Sequence, residues 1–305
     1  MIYTVTLNPA IDYVIRVPEF QENQLNVATE EYKFPGGKGI NVARILKKLD
    51  VPAMNLGFVG GFTGEFIEKE LQKEGLQTNF TTVPGDTRIN IKLKSQVETE
   101  INGQGPLIDE NNLAAFIQKL KELTPEDVVI FSGSLPKGVP ADLYLQLVKE
   151  MNQLQVPFVV DISSKQLLEI LSYQPVLIKP NHHELAAIFE TTFNSFEEMI
   201  PYGEKLRAMG AQNVLLSMGK EGAALFTEQG IYRGLGLKGE LKNSVGAGDS
   251  MVAGFMSQWY RKKDILECFK YGLASGSAAA FSDDLASREA ILELIEKVNI
   301  QQVEK

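Results

Sequence analysis

The chain has 305 residues, and its 30 lysine and arginine residues against 39 aspartate and glutamate residues give a formal net charge of -9. With 44% hydrophobic and 23% charged residues, it has the composition of an ordinary globular protein. The acidic balance and the lack of a basic block argue against a nucleic-acid partner. No apolar run reaches the roughly 20 residues that cross a bilayer, and the first residues do not resemble a secretion signal. We therefore expect a cytoplasmic protein with no membrane partner.

The residues that commonly bind zinc are scarce. The one cysteine, Cys268, cannot form an internal disulfide or supply a cysteine zinc cluster. The two histidines, His182 and His183, are adjacent and lack the H-E-x-x-H spacing. These counts argue against a zinc enzyme. Anionic ligands would need isolated lysine and arginine residues beside glycine turns, because the chain as a whole is acidic.

Short β-rich runs alternate with amphipathic helical stretches along most of the chain. The predicted strands span residues 2–7, 54–59, 128–132, 158–161, 176–178 and 214–217. The predicted helices span residues 39–48, 64–74, 110–122, 141–153, 195–209, 247–260 and 265–280. Such alternation predicts a single large α/β domain, in which a mainly parallel sheet is covered by helices on both faces.

Two stretches, residues 13–34 and 87–105, break this alternation. Both contain β-like runs separated by polar turn residues, without a helix long enough to cover them. We expect one small discontinuous sheet that stands off the main domain. A sheet with an uncovered face commonly closes over a ligand or pairs with a second subunit. We therefore expect a lid, which also offers a route to a homodimer.

A glycine-rich turn, Gly246-Ala247-Gly248-Asp249, is followed after one serine by the apolar helical run that starts at Met251. Glycines let the backbone turn tightly, and the free N–H groups of the first helical turn then form an anion site. The positive helix end should keep Asp249 ionised and able to accept a hydroxyl proton. Alone, the pattern also fits an ordinary helix start with an acidic first turn.

A second glycine turn, with the sequence PGGKGIN, also opens a helix. Glycine at position 37 allows a ligand to approach the backbone, Lys38 can contact a phosphate, and Asn41 can hydrogen bond to hydroxyls. Asp12 follows the first strand, where ligands of open α/β sheets bind, and can accept hydrogen bonds from a substrate. A solvated lysine and a turn-forming aspartate remain the plain alternatives.

Three further segments offer polar groups near strand ends. Asn181 and Glu184 lie one helical turn apart and can orient a hydrated magnesium ion, although Asn-x-x-Glu is also a capping box. Ser134 and Arg88 can help to hold a phosphate, although an isolated arginine is more often simply solvated. The G-x-G-x-x-G match at residues 234–239 opens no helix, and no Walker-type P-loop occurs.

These elements, in this order, resemble the ribokinase-like, or phosphofructokinase B, family of carbohydrate kinases. The resemblance covers nearly the whole chain and is carried by the segments TLNPAID, PGGKGINVARIL, SGSLPKGVP, KPNHHEL, SMGKEGAAL and SVGAGDSMVAG. It implies a ribokinase-like three-layer fold with a β lid. It also implies ATP-dependent phosphorylation of a sugar hydroxyl with Mg²⁺ as a further cofactor.

The resemblance assigns roles to individual residues. It implies that Asp249 is the catalytic base, with the backbone of Gly246, Ala247 and Gly248 as an anion hole. Sugar contacts fall on Asp12, Gly37 and Asn41, and phosphate contacts on Lys38, Arg88 and Ser134. Glu184 would act through the water shell of magnesium. The implied nucleotide contacts are Lys179, Asn181, Ser217, Gly219, Gly222, Ser244, Gly248 and Ser277.

Within the family, the start of the chain and the segment GDTRINIKLK are most similar to members that convert fructose 1-phosphate to fructose 1,6-bisphosphate. Members that act on tagatose 6-phosphate are the nearest alternative. Two other classes remain open: a sugar-phosphate sensor without turnover, and a nicotinamide-dependent oxidoreductase. The intact Asp249 argues against the sensor, and the missing dinucleotide fingerprint argues against the oxidoreductase.

Overall fold

The computed structural model describes residues 1–163 and 165–303, and these fold into strands and helices that alternate along much of the chain. The strands are β1 (Ile2–Thr6), β2 (Ala10–Arg16), β3 (Glu30–Gly36), β4 (Ala53–Val59), β5 (Gln77–Thr78), β6 (Thr81–Thr82), β7 (Arg88–Lys94), β8 (Thr99–Asn102), β9 (Val128–Ser132), β10 (Phe158–Asp161), β11 (Leu177–Ile178), β12 (Val214–Ser217), β13 (Gly222–Phe226), β14 (Ile231–Leu235) and β15 (Ile300–Val303). The helices are α1 (Lys38–Lys48), α2 (Gly61–Lys73), α3 (Glu110–Lys121), α4 (Leu143–Gln153), α5 (Leu167–Ile170), α6 (His182–Phe189), α7 (Phe196–Ala208), α8 (Ala247–Tyr260), α9 (Ile265–Ala280) and α10 (Arg288–Ile295).

The central sheet has 11 strands in the order β15-β14-β13-β12-β11-β10-β9-β1-β4-β5, with β6 also paired to β4. The pairings from β5 to β12 are parallel. From β12 to β15 the strands turn antiparallel. β1 lies inside the sheet, where Ile2 is paired with Ala53 on one side and Val128 on the other. Parallel strands place their carboxyl ends at one edge, where ligands of open α/β sheets bind.

Helices cover both faces of this sheet because its strands are apolar on both faces. Successive residues of β9 alternate, so that Val128 and Ile130 pack with α1, α2, α8, α9 and α10. Val129 and Phe131 pack on the opposite face with α3, α4, α5, α6 and α7. A near-continuous apolar strand is typical of a parallel sheet that is buried on both sides. The predicted three-layer α/β fold is confirmed.

The small sheet is separate and has four strands in the order β3-β2-β7-β8. β2 pairs antiparallel with β3 and parallel with β7, and β7 pairs antiparallel with β8. The prediction of a small sheet from two separated stretches is confirmed. The sheet begins at Ala10 and includes Gly36, so it is somewhat larger than the predicted ranges.

Two groups of elements in this fold were not predicted from the sequence. The antiparallel strands β13, β14 and β15 were not predicted, because β13 and β14 are glycine-containing hairpin strands and β15 is a short terminal strand. The helices α6 and α10 were not assigned as elements, since each has only eight residues. Gly234 lies in β14, so the G-x-G-x-x-G match indeed opens no helix.

Within the described residues, none of the helices has the length and apolar character that crossing a membrane requires.

Candidate active site

The carboxyl ends of the parallel strands and two helix starts enclose a cavity of about 720 Å³. The small sheet forms another of its walls, because residues of β2 and β7 line it. Twelve of the residues singled out from the sequence line this cavity: Asp12, Gly37, Lys38, Asn41, Arg88, Ser134, Lys179, Asn181, Glu184, Gly246, Gly248 and Asp249. Residues far apart in the chain are thus brought together at one edge of the sheet.

Asp249 lies in the first turn of α8, which begins after Gly246. Gly246 has a φ of +79°, and a Cβ there would lie 2.8 Å from Leu285 Cδ2, so the turn requires glycine. This glycine has no side chain to cap the helix, and the N–H of Ala247 donates to the carbonyl oxygen of Ser244 at 3.4 Å. The N–H groups of Gly248 and Asp249 are therefore the ones left for an anion, and Ala247, which was expected to take part in the anion hole, is already paired. The site therefore places a carboxylate and an anion site in the same turn.

The environment of Asp249 differs from what the sequence suggested. The side chain is 7% exposed, and Asn41 Nδ2 donates a hydrogen bond to its Oδ2 at 2.9 Å. Burial and the negative charge of Asp161 raise the pKa of Asp249 to about 6, against the opposing effect of Lys38 and Lys179. The expectation that the helix end would simply favour ionisation was incomplete, because it did not include burial. A pKa near 6 leaves Asp249 mainly ionised at neutral pH and makes it a better base.

Two lysines of the cavity share one buried carboxylate, that of Asp161. Its Oδ1 lies 3.3 Å from Lys38 Nζ and 3.5 Å from Lys179 Nζ, and the residue is 3% exposed. Burial opposes ionisation of Asp161, but Lys179 and Lys38 outweigh it and hold the pKa below its usual value. Lys179 also lies against the anion turn, since a Cβ on Gly248 would be 3.1 Å from its Nζ.

Asp161 was not predicted as a site residue. The signal was present, because it is the last residue of a buried strand whose carboxyl end lies at the ligand-binding edge. A carboxylate at that place is costly to bury unless cations accompany it. The two lysines that pair with Asp161 come from α1 and from the end of β11. These segments are far apart in the chain, so the sequence did not show that the three charges lie together.

Asn181 and Glu184 form a capping box at the start of α6. The Asn181 side chain accepts from the backbone N–H of Glu184, and Glu184 Oε2 accepts from the backbone N–H of Asn181, both at 2.8 Å. Ser163 donates to the other carboxylate oxygen of Glu184. The capping box, which the sequence analysis gave as the alternative to a magnesium role, is therefore present. Both residues also line the cavity.

The small sheet contributes a group of four polar residues, Asp12, Arg88, Asn90 and Lys92, which we call the lid cluster. All four line the cavity, and Asn90 Nδ2 donates to Asp12 Oδ1 at 3.1 Å. Burial raises the pKa of Asp12, partly offset by Asn90, Lys92 and Arg88. Residues 88, 90 and 92 share one face of β7 because side chains alternate along a strand. This period-2 pattern starting at Arg88 was the signal that would have identified Asn90 and Lys92.

The remaining residues predicted to bind nucleotide lie outside the lining of this cavity: Ser217, Gly219, Gly222, Ser244 and Ser277. Ser217 ends β12, and its backbone N–H donates to the carbonyl oxygen of Pro180 at 3.0 Å. Gly222 is buried, and a Cβ there would lie 2.1 Å from the carbonyl oxygen of Gly234, so hairpin packing alone explains this glycine. The nucleotide contacts therefore stay predictions.

The site combines a buried carboxylate at a glycine-rich helix start with lysines around one cavity, an arrangement suited to accepting a hydroxyl proton beside a bound anion. The family model described as "pfkB family carbohydrate kinase" matches residues 5–289, and the chain belongs to this family. The prediction of a sugar kinase with a ribokinase-like fold is confirmed.

Individual relatives are similar over nearly their full length. The 1-phosphofructokinase of Bacillus subtilis (strain 168) is 47% identical over 300 residues, which cover 98% of this chain and 99% of that protein. The D-tagatose-1-phosphate kinase of Bacillus licheniformis is 41% identical over 286 residues, covering 93% and 94%. The crystal structure of a putative phosphofructokinase from Staphylococcus aureus is 44% identical, has a TM-score of 0.89, and covers 100% of this chain and 99% of its own.

Proposed function

We propose that this protein transfers the γ-phosphoryl group of Mg-ATP to the 6-hydroxyl of fructose 1-phosphate and so forms fructose 1,6-bisphosphate. The observation that carries the proposal is the buried Asp249, with a pKa of about 6, in the anion turn of a cavity lined by cations. The similarity to the 1-phosphofructokinase of B. subtilis supports the substrate.

In this mechanism Asp249 accepts the proton of the 6-hydroxyl as that oxygen forms a bond to the γ-phosphorus. The bond between this phosphorus and the bridging oxygen of ADP breaks, and ADP leaves. The N–H groups of Gly248 and Asp249 in the first turn of α8 stabilise charge on the moving group. Asn41 holds the carboxylate of Asp249 in place through its hydrogen bond.

Lys38 and Lys179 supply the positive charge near the reacting end. Burial disfavours the charged form of Lys38, but the carboxylates of Asp161, Asp249 and Glu184 together raise its pKa. Lys38 therefore stays charged at neutral pH, and it attracts the phosphates of the nucleotide together with Lys179. Asp161 balances them while no phosphate is bound.

The proposed reaction uses magnesium, which this site would hold through the water shell of the ion. In the described part of the chain no group of three or more acidic, histidine or cysteine side chains forms a metal cage. Mg²⁺ commonly keeps several waters and binds substrate phosphates with few protein ligands. We propose that Glu184 accepts hydrogen bonds from these waters. When bound, the ion neutralises phosphate charge in the transition state.

The outer face of the small sheet supports a homodimer. Ile89 is 38% exposed and Ile101 is 58% exposed, and both lie in β7 or β8. Apolar side chains on an uncovered sheet face are typical of an interface. We propose that two copies pair through this face, and sedimentation equilibrium of the protein tests it. The cytoplasmic location stays a prediction.

The test of the function is ADP release coupled to a second enzyme, with Mg-ATP and separate sugars. The panel contains fructose 1-phosphate, tagatose 1-phosphate, tagatose 6-phosphate, fructose 6-phosphate and free fructose, and kcat/KM is compared. Tagatose 1-phosphate is included because a relative is named for it. We expect a preference of at least about tenfold for fructose 1-phosphate, since a site that hydrogen bonds a substrate hydroxyl rejects a misplaced one. Equal or better use of another sugar refutes the substrate, and silence in every well refutes the kinase proposal.

A further inference from the structure

Lys92 is a buried cation on the inner face of the small sheet, and the mechanism above does not use it. The residue is 8% exposed and lines the cavity of Asp249. Its Nζ lies 2.7 Å from Glu100 Oε2 on the neighbouring strand, where the two residues are directly opposite in register. A lysine is rarely buried without a partner, and this one faces a ligand cavity.

The charges in the cavity fall into two groups. Lys38 and Lys179 act on Asp249, whereas Lys92 and Arg88 act on Asp12. Fructose 1-phosphate has a matching polarity, because its phosphate is on C1 and the hydroxyl to be phosphorylated is on C6. When the C6 hydroxyl lies at Asp249, the phosphate on C1 lies at the opposite end of the sugar. It therefore needs cations other than Lys38 and Lys179. The lid cluster is the group that supplies them.

The guanidinium of Arg88 is held in a fixed orientation in which it can bind a phosphate. Its Nε donates to the carbonyl oxygen of Asn8 at 3.1 Å, and its Nη1 donates to that of Gly103 at 3.2 Å. A guanidinium has five N–H donors, so these two bonds fix its orientation and leave donors for a ligand. A single arginine carries one positive charge and does not balance a phosphate dianion. A second cation beside Arg88 supplies the missing charge.

We propose that Lys92 binds the phosphate that the sugar already carries, together with Arg88, and that this phosphate displaces Glu100 from Lys92. The inference rests on the proposed function and deepens it. Glu100 is 39% exposed at its side chain, so it can return to water when it is displaced. A phosphate dianion carries more charge than a carboxylate and forms stronger charge-assisted hydrogen bonds. Glu100 thus holds Lys92 in place before substrate arrives.

Lys92→Met tests the contact, and Lys94→Met is the matched control. Lys94 lies on the same strand face and forms an ion pair with Glu98, four residues along the chain. It lines only a neighbouring cavity, whereas Lys92 lines both that cavity and the cavity of Asp249. We expect Lys92→Met to raise the KM for fructose 1-phosphate by about 10- to 100-fold with little change in kcat, since a charged hydrogen bond is lost. Lys94→Met should leave the KM within about twofold.

The variant Glu100→Gln distinguishes two roles of Lys92: binding of the substrate phosphate, and an ion pair with Glu100 that only stabilises the small sheet. If Lys92 binds phosphate, removal of its competitor lowers the KM, which is the opposite direction to Lys92→Met. If the ion pair only holds the small sheet together, both variants raise the KM. Lys92→Arg should recover part of the lost affinity, because it keeps the charge. Binding of fructose 1-phosphate by calorimetry gives the same comparison without turnover.

Turnover of fructose 1-phosphate by the unsubstituted protein decides the proposed function first. Given that turnover, an unchanged KM in Lys92→Met, or a raised KM in Glu100→Gln, overturns the role of Lys92 while the kinase assignment stands. Absence of turnover on every phosphorylated sugar overturns both. Opposite shifts of KM in Lys92→Met and Glu100→Gln support the inference.

Discussion

Replacing Asp249 with asparagine should abolish most activity and at the same time stabilise the protein. The carboxylate is buried, and its pKa of about 6 compares with an ordinary value of 3.8. A difference of about 2 pKa units corresponds to about 3 kcal/mol, since one unit is about 1.4 kcal/mol. Asparagine has nearly the same shape and can still accept the hydrogen bond from Asn41, so the charge is the main change.

The sign of this effect follows from the direction of the pKa shift. A carboxyl whose pKa is raised on folding opposes folding when it is ionised, so the penalty is absent below pH 3.8 and complete above pH 6. The gain in unfolding free energy of Asp249→Asn should therefore be about 3 kcal/mol at pH 8 and about half of that at pH 5.

Urea unfolding at pH 5 and pH 8 measures this gain, and kinetics measure the loss of the base. We expect kcat to fall by about 10²- to 10⁴-fold, the range typical of acid–base catalysis. In the unsubstituted protein kcat/KM should fall below pH 6, because Asp249 must be ionised to accept the proton. A stability gain that does not change with pH, or a variant that keeps more than about a tenth of the activity, contradicts the assignment of Asp249.

Three further outcomes follow from the same site. Asp161→Asn removes a negative charge that raises the pKa of Asp249, so the acidic limb of kcat/KM should move to lower pH; a pH–rate profile that does not move is the contrary result. Gly36→Ala places a Cβ 2.2 Å from Asp12 Oδ2, so it should raise the sugar KM without lowering the melting temperature by more than a few degrees; an unchanged KM argues against sugar binding by Asp12. Chelation of Mg²⁺ should stop turnover while calorimetry still detects binding of fructose 1-phosphate, whereas full activity with a chelator refutes the metal requirement.

The sequence alone determined the fold class and most of the turns that form the site. Alternating apolar strands and amphipathic helices specify a parallel sheet between two layers, because each element must bury its apolar face. The glycine turns before α1 and α8 were identified because glycine permits the conformation and the close approach they need. The capping box of Asn181 and Glu184 was predictable as an alternative, since it is a local pattern three residues apart.

Only the tertiary structure decided which charges act on one another. Asp161, at the end of β10, pairs with Lys38 from α1 and with Lys179 from the end of β11. The negative charge of Asp161 also raises the pKa of Asp249, which lies in α8. The pairing of Lys92 with Glu100 likewise depends on the register of β7 against β8. Burial and the distances between distant residues set these electrostatic effects, and neither is a local property of the sequence.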